Sequence, residues 1–426
     1  MILLAALSIP WRGASVRSTP EVAGVAGRGA LAAGAAVRPL DLGPSPVLGG
    51  FPRWRWTATG VADQVTARAL VLTEPGCSVA LVSAELVLVP RALAEAVRVR
   101  VADLRLDAVV VAATHTHAGP GGYWDALAGR FGATGPYDDA TFERMVESIA
   151  GAVRLAAADR GPATVSVARG RLTEVVQNRD GGPPDGRLLA VRVARPSGKP
   201  VAELVSFAAH PTMLGKRNTE ISGDWVGRLL ALGARGPRLF FQGAVGDQSV
   251  RPPAAAGASA GPEAPVRERM VAEARAVDAA LAGLEGSAAT ESPTLAVATA
   301  RFGLPGLEPG AVPDWLRPAT VTMAGGTFSR EASVTALRLG PALLLFMAAE
   351  PVAAVGESLR TAAGPDAEVV SLAGDYLGYV ETEGAFRAGT GEAKRSYFGP
   401  ELAAVLQGGA TAAAREAERL AGAATP

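Results

Sequence analysis

Three histidines serve a chain of 426 residues. Two of them, His115 and His117, stand one residue apart at the end of the apolar run VVVAATHTHAGPGG, and the third, His210, closes another, VAELVSFAAHP. A pair at i, i+2 on extended backbone turns both rings to one face. Two imidazoles, a distant third and a carboxylate match the donor set of a catalytic zinc, which keeps one position open for water. Such a metal polarises a carbonyl and makes water a nucleophile near neutral pH. HExxH is absent, and Cys77 is the sole cysteine, so neither a cysteine metal cage nor an internal disulfide can form. The residue types alone leave two readings open. One is a metal centre; the other is a set of histidines satisfied by loop hydrogen bonds.

Strands must carry these residues. ARALVLTEPGCSVALVSAELVLVP reads as a hairpin, 68–72 and 79–88, turning at Glu74-Pro75-Gly76. PRALAEAVRVRVADL has helical spacing with Pro90 at its start. LDAVVVAATHTH is then a continuous apolar strand of the kind buried on both faces. Further hairpins turn at Pro196-Ser197-Gly198 and at Gly340-Pro341, and PRLFFQG and AEVVSLAGDYLGYV read as strands. Helices are expected over 267–284, 352–362 and 400–420. His115, His210, Asp247, Ser249, Glu350, Tyr376 and Tyr379 all fall where strands give way to loops, which is where α/β sheets hold their sites.

The expectation is one large α/β domain, layered, with mostly hairpin-built mixed sheets flanked by helices. Residues 31–426 form it; 1–30 are an N-terminal extension, disordered or a degenerate export signal; 251–265 are a surface loop. MILLAALSIP is apolar but short, with no basic residue before it, so a cytoplasmic location is favoured over export. No internal repeat is evident.

Hydrophobic residues make up 49% of the chain and charged residues 19%, enough apolar content for a sizeable core. Lys+Arg and Asp+Glu both number 41. That balance leaves no excess charge for nucleic acid or an anionic membrane. No stretch reaches the roughly 18–20 uninterrupted apolar residues of a spanning helix. Oligomeric state is left open.

THTHAGPGGY resembles the hallmark of the neutral/alkaline non-lysosomal ceramidase family, zinc amidases acting on ceramide. The likeness continues in order through GAAVRPLDLGP, QNRD, FAAHPTMLGKRNTEISGDWVG, FFQGAVGDQSV, DYLGYVET and RSYFGPELAAVL. It spans about residues 31–420, the family's catalytic domain, without the C-terminal β-sandwich of its long members. The resemblance implies one zinc ion per chain, held by His115, His210, Glu350 and Tyr379. It implies His117 as a proton-handling group beside the metal, Ser249 as nucleophile, Arg179 as an active-site cation and Asp41 near the substrate's polar head. The partner it implies is a lipid-like N-acyl substrate. Whether Ser249 or metal-activated water attacks stays open.

Three departures bear on the substrate. Val250-Arg251 replaces the family's Pro-Asn, Asp180 stands where serine is common, and Trp225 stands where a polar residue is usual. They are expected to touch the substrate's surroundings. They keep two rival readings alive: a zinc hydrolase of the same fold acting on another N-acyl or ester substrate, and a non-catalytic member that binds metal or lipid.

Overall fold

A computed structural model describes residues 19–233, 236–251, 265–313, 316 and 328–424. Within them one topological plan occurs three times: an antiparallel strand pair, a helix, then a strand parallel to the second member of the pair. The first unit pairs Thr66–Glu74 with Cys77–Ala84, passes through the helix Arg91–Arg100 and returns as Ala108–Ala113. The second uses Arg187–Ala194, Pro200–Phe207, the helix Asp224–Ala231 and Arg238–Gln242. The third uses Glu331–Leu339, Ala342–Met347, the helix Ala353–Ala363 and Ala367–Val370. A tight turn suffices for each antiparallel pair, whereas the parallel return needs a crossover, and each helix provides one. The plan repeats without a sequence repeat, since it needs only turn chemistry and apolar strands.

Further antiparallel strands widen each unit. Ala32–Pro39 joins the first, Thr164–Arg171 the second, and Leu295–Gly303 the third. The results are two five-stranded mixed sheets and one four-stranded sheet. Their inner faces share one core, including Leu70, Leu81, Leu189, Phe241, Leu337 and Leu344. Each outer face is covered by two helices. Arg91–Arg100 and Asp139–Ala158 cover the first, Asp224–Ala231 and Val266–Gly283 the second, Ala353–Ala363 and Glu401–Ala424 the third. Burial on both faces explains why these strands read as unbroken apolar runs.

One expectation changes, and one helix is new. The strand Glu21–Ala26 pairs with Leu295–Gly303 at the edge of the third sheet, so the folded body begins before residue 31. Residues 1–18 and most of 251–265 lie outside the described residues. The 20-residue helix Asp139–Ala158 was not anticipated. Its start is marked by Asp138, whose carboxylate accepts the Thr141 N–H at 2.8 Å. Among the described residues no helix is long and apolar enough to cross a membrane.

Candidate active site

The C-terminal ends of the parallel strands converge on one cavity of about 310 Å³. His115 follows Ala108–Ala113 and His210 follows Pro200–Phe207, one from the first sheet and one from the second. Glu350 follows Ala342–Met347 of the third sheet and opens the two-residue strand Glu350–Pro351. That strand pairs in parallel with Tyr379–Val380, placing Glu350 opposite Tyr379.

The two neighbouring histidines do not meet by strand alternation. The strand ends at Ala113, and His115 adopts a left-handed backbone, φ 73°. Such a conformation is costly for a residue with a Cβ and concentrates at functional sites. It turns the chain so that the His115 and His117 rings meet edge to face, centroids 4.7 Å apart.

Hydrogen bonds assign the protons. His115 Nδ1–H donates to the Val87 carbonyl at 2.6 Å, and His210 Nδ1–H to the Gln248 carbonyl at 2.7 Å. Both Nε2 lone pairs therefore face inward, 3.1 and 3.3 Å from Glu350 Oε2. Tyr379 O–H donates to His210 Nε2 at 3.0 Å, and Tyr376 O–H to Glu350 Oε1 at 2.8 Å. Glu350 Oε2 is buried and meets no hydrogen-bond donor. The ligand atoms of His115, His117 and His210 lie within 4.8 Å of one another. Acceptors thus face acceptors in a buried centre. A cation among them removes that conflict, and carbonyl-anchored imidazoles are the usual partners of a metal.

Titration agrees with this arrangement. Burial lowers His210 to about 4, and burial together with the other imidazoles holds His117 well below its ordinary value. Burial alone would push the Glu350 carboxyl up; positive charge or a donor at the facing His115 and His210 positions outweighs it and holds the carboxyl well below the usual carboxylate range. With both Nδ1 atoms already donating elsewhere, a cation is what would supply that charge. Burial and the Glu350 charge push both Tyr376 and Tyr379 well above 10. At neutral pH the centre holds His117 and His210 as neutral rings, two phenols and one carboxylate.

Around this centre, Phe51, Val87, Leu88 and Trp124 give the cavity apolar wall. Arg179 reaches it from the segment after Val176–Asn178. Its guanidinium pairs with Glu392 at 2.8 Å and donates to the Gly246 carbonyl. Arg395, Tyr397 and Lys216 also line the cavity, and none was singled out from sequence. Arg395 and Tyr397 lie in the quoted RSYFGP segment, the one signal that could have found them. A larger cleft of about 640 Å³, walled by Arg171, Asp185, Arg187 and Arg360, contains no imidazole. Chemistry, not size, selects between the two.

Asp41 is not brought together with the rest, and Ser249 joins them through its backbone alone. Ser249 sits in Gln248–Val250, opposite Gln177 and bridged to His210 through the backbone, and is not among the residues lining the cavity. Asp41 is exposed; its carboxylate accepts the Gly43 N–H at 3.0 Å. The three departures also fall elsewhere. Trp225 is fully buried, its ring edge-on to Phe207 and Phe240. Asp180 lines the larger cleft, Val250 packs beside the core of the second sheet, and Arg251 donates to the Val176 and Thr173 carbonyls. None is among the residues lining this cavity.

Residues 45–182 match the family described as neutral/alkaline non-lysosomal ceramidase, N-terminal. A neutral ceramidase of Mycobacterium tuberculosis is 33% identical over 199 residues, covering 41% of this chain and 31% of that protein. The chain thus spans about a third of the length of that relative. The crystal structure of neutral ceramidase from Pseudomonas aeruginosa superposes with a TM-score of 0.77 at 19% identity, covering 92% of this chain and 75% of that one. A ceramidase complexed with C2 gives 0.78 at 18% identity, over 92% and 76%. At such identities the likeness speaks for the fold. By sequence across residues 45–182 and by fold across nearly all of its length, the chain is similar to neutral/alkaline non-lysosomal ceramidases.

Proposed function

We propose that the chain is a zinc-dependent amidohydrolase that cleaves the N-acyl amide of ceramide, or of a ceramide-like lipid, to a fatty acid and a sphingoid base. One observation carries the reading. Two imidazoles with anchored Nδ1 atoms point their lone pairs at the donor-free oxygen of Glu350 in a buried centre. This all-nitrogen-and-oxygen donor set suits zinc. His115, His210, Glu350 and Tyr379 would hold one ion per chain. When bound, it supplies Lewis-acid polarisation of the acyl carbonyl and acidifies water.

The remaining work falls to the chain. His117 differs from the other two histidines because its Nδ1 has no hydrogen-bond partner. Neutral at neutral pH, it can take a proton from the attacking group and pass it to the leaving amine. Arg179, fixed by Glu392, presents positive charge where the carbonyl oxygen gains negative charge. The apolar wall formed by Phe51, Val87, Leu88 and Trp124 suits a hydrocarbon chain. The names of the relatives, neutral ceramidase and ceramidase, support ceramide as the substrate.

The modest volume of the cavity, about 310 Å³, favours a second reading in which the substrate is a smaller N-acyl amide or ester. Fatty-acid release from labelled ceramide, measured with the zinc content of the same sample, tests the proposal. Zinc with turnover of short acyl substrates alone would select the second reading. Inertness across a broad acyl panel would leave a metal- or lipid-binding protein.

A further inference from the structure

The most exposed aromatic residues of the described chain cluster at the mouth of the cavity. Trp54 is fully exposed, Phe131 is 74% exposed and Leu127 49%. Their neighbours line the cavity itself: Phe51 and Pro52 on one loop, Ala128, Gly132 and Ala133 on a short helical segment facing it. The two are joined by the Gly50 N–H, which donates to the Ala133 carbonyl at 2.7 Å. A third segment, around Lys216, closes the rim; Arg53 donates to the Lys216 and Asn218 carbonyls at 3.1 and 2.6 Å.

Charge on this rim is one-sided. Segments 51–56 and 212–218 contain Arg53, Arg55, Lys216 and Arg217 and no carboxylate. Asp125, the acidic neighbour just before the helical segment, is already paired with Arg130. The balanced total charge of the chain conceals this local excess. Fully exposed tryptophan is unfavourable in water, and an aromatic tip ringed by cations matches the interface of an anionic bilayer.

We infer that this rim docks on an anionic lipid surface, with Trp54, Leu127 and Phe131 entering the headgroup layer and the exposed Arg55, Lys216 and Arg217 facing the lipid charges, while Arg53 braces the rim through the Lys216 and Asn218 carbonyls. The cavity mouth then opens onto the membrane, so an acyl lipid passes from bilayer to site without crossing water. The inference complements the reading as a lipid amidase, but vesicle binding tests it separately.

The test is co-sedimentation of the full chain with phosphatidylcholine vesicles, with and without phosphatidylserine. The wild type is expected to sediment with the phosphatidylserine vesicles and to be released by salt. Trp54→Ala combined with Phe131→Ala should raise the lipid needed for half-binding about tenfold or more. Arg55→Glu with Arg217→Glu should erase the preference for phosphatidylserine. All four substituted residues are exposed, Phe131 on the helical turn Gly129–Ala133 and the others on loops, and unchanged thermal unfolding verifies the fold. The aromatic variant should keep wild-type turnover of a water-soluble short-chain amide while losing turnover of vesicle-borne lipid. A wild type that stays in the supernatant with both vesicle types, or an aromatic variant that binds like wild type, overturns the inference. Binding without turnover of either substrate would overturn the amidase reading and leave the docking surface standing.

Discussion

Glu350 and Tyr379 are direct partners in a parallel ladder only two residues long. Backbone register, rather than side-chain search, therefore sets the carboxylate beside the phenol. The Glu350 N–H donates to the Gly378 carbonyl at 3.0 Å, and Gly378 has φ 78°, a value that favours glycine. The centre inherits the rigidity of this ladder.

His115→Ala and His210→Ala are expected to lose bound zinc and activity together. Each removes one inward lone pair and leaves Glu350 with a single imidazole opposite. Metal per chain and turnover should fall in parallel. Full zinc stoichiometry in both variants would sink the proposed centre.

His117→Ala should keep its zinc and lose turnover by about 10²-fold, the usual cost of a positioned acid–base group. The missing anchor on its Nδ1 sets it apart from the two other rings. If the metal leaves with the imidazole, His117 is a ligand and the division of roles fails.

Tyr376→Phe removes the donor to Glu350 Oε1 while leaving the ring against Trp124. Loss of an outer partner of a ligating carboxylate costs on the order of 10–100-fold in metal affinity. Competition with a zinc-buffering chelator should show the weakening. An unchanged affinity would mean that the ladder alone orients Glu350.

Ser249→Ala separates two routes of attack. Ser249 belongs to a paired strand and is not among the residues lining the cavity. Turnover is expected to stay at a tenth of wild type or better, within about 1.4 kcal/mol of barrier. Near-complete loss with zinc intact would assign the attack to the serine hydroxyl.

Glu273 supplies a pH signature far from the chemistry. It is buried, its Oε1 has no partner, and burial raises its carboxyl to about 8. The folded-state value lies above the unfolded 4.5, so its stability contribution is intact below 4.5 and is lost as pH rises toward 8. Glu273→Gln should therefore gain in Tm relative to wild type as pH goes from 4.5 to 8. A difference that does not change with pH would show that the carboxyl titrates normally.

The strand pairs were legible because their turns carry their own chemistry. Pro75-Gly76 closes the first and Gly340-Pro341 the third, between runs too apolar to lie at the surface. The helix Asp139–Ala158 was not legible, because small residues such as Ser148, Ala150, Gly151 and Ala157 fill its buried face and blur the period. His115, His210 and Glu350 stood out as scarce polar types at the ends of apolar strands. Glu392 did not, since its part depends on Arg179, which comes from a remote segment. Trp225 was misplaced for a similar reason. It follows Asp224, whose carboxylate accepts the Leu214 N–H, yet its own ring turns away from that loop into the core.

The threefold plan would also dictate when the proposed zinc ion is captured. His115 hangs from the first sheet, His210 from the second, and Glu350 with Tyr379 from the third. A nascent chain carries one donor after the first unit and two after the second, too few to retain zinc against cellular chelators. Capture of the proposed ion would await emergence and docking of the last unit, so its uptake would be the closing event of maturation. Unfinished chains would stay metal-free, and zinc occupancy would report the fraction of molecules whose assembly is complete.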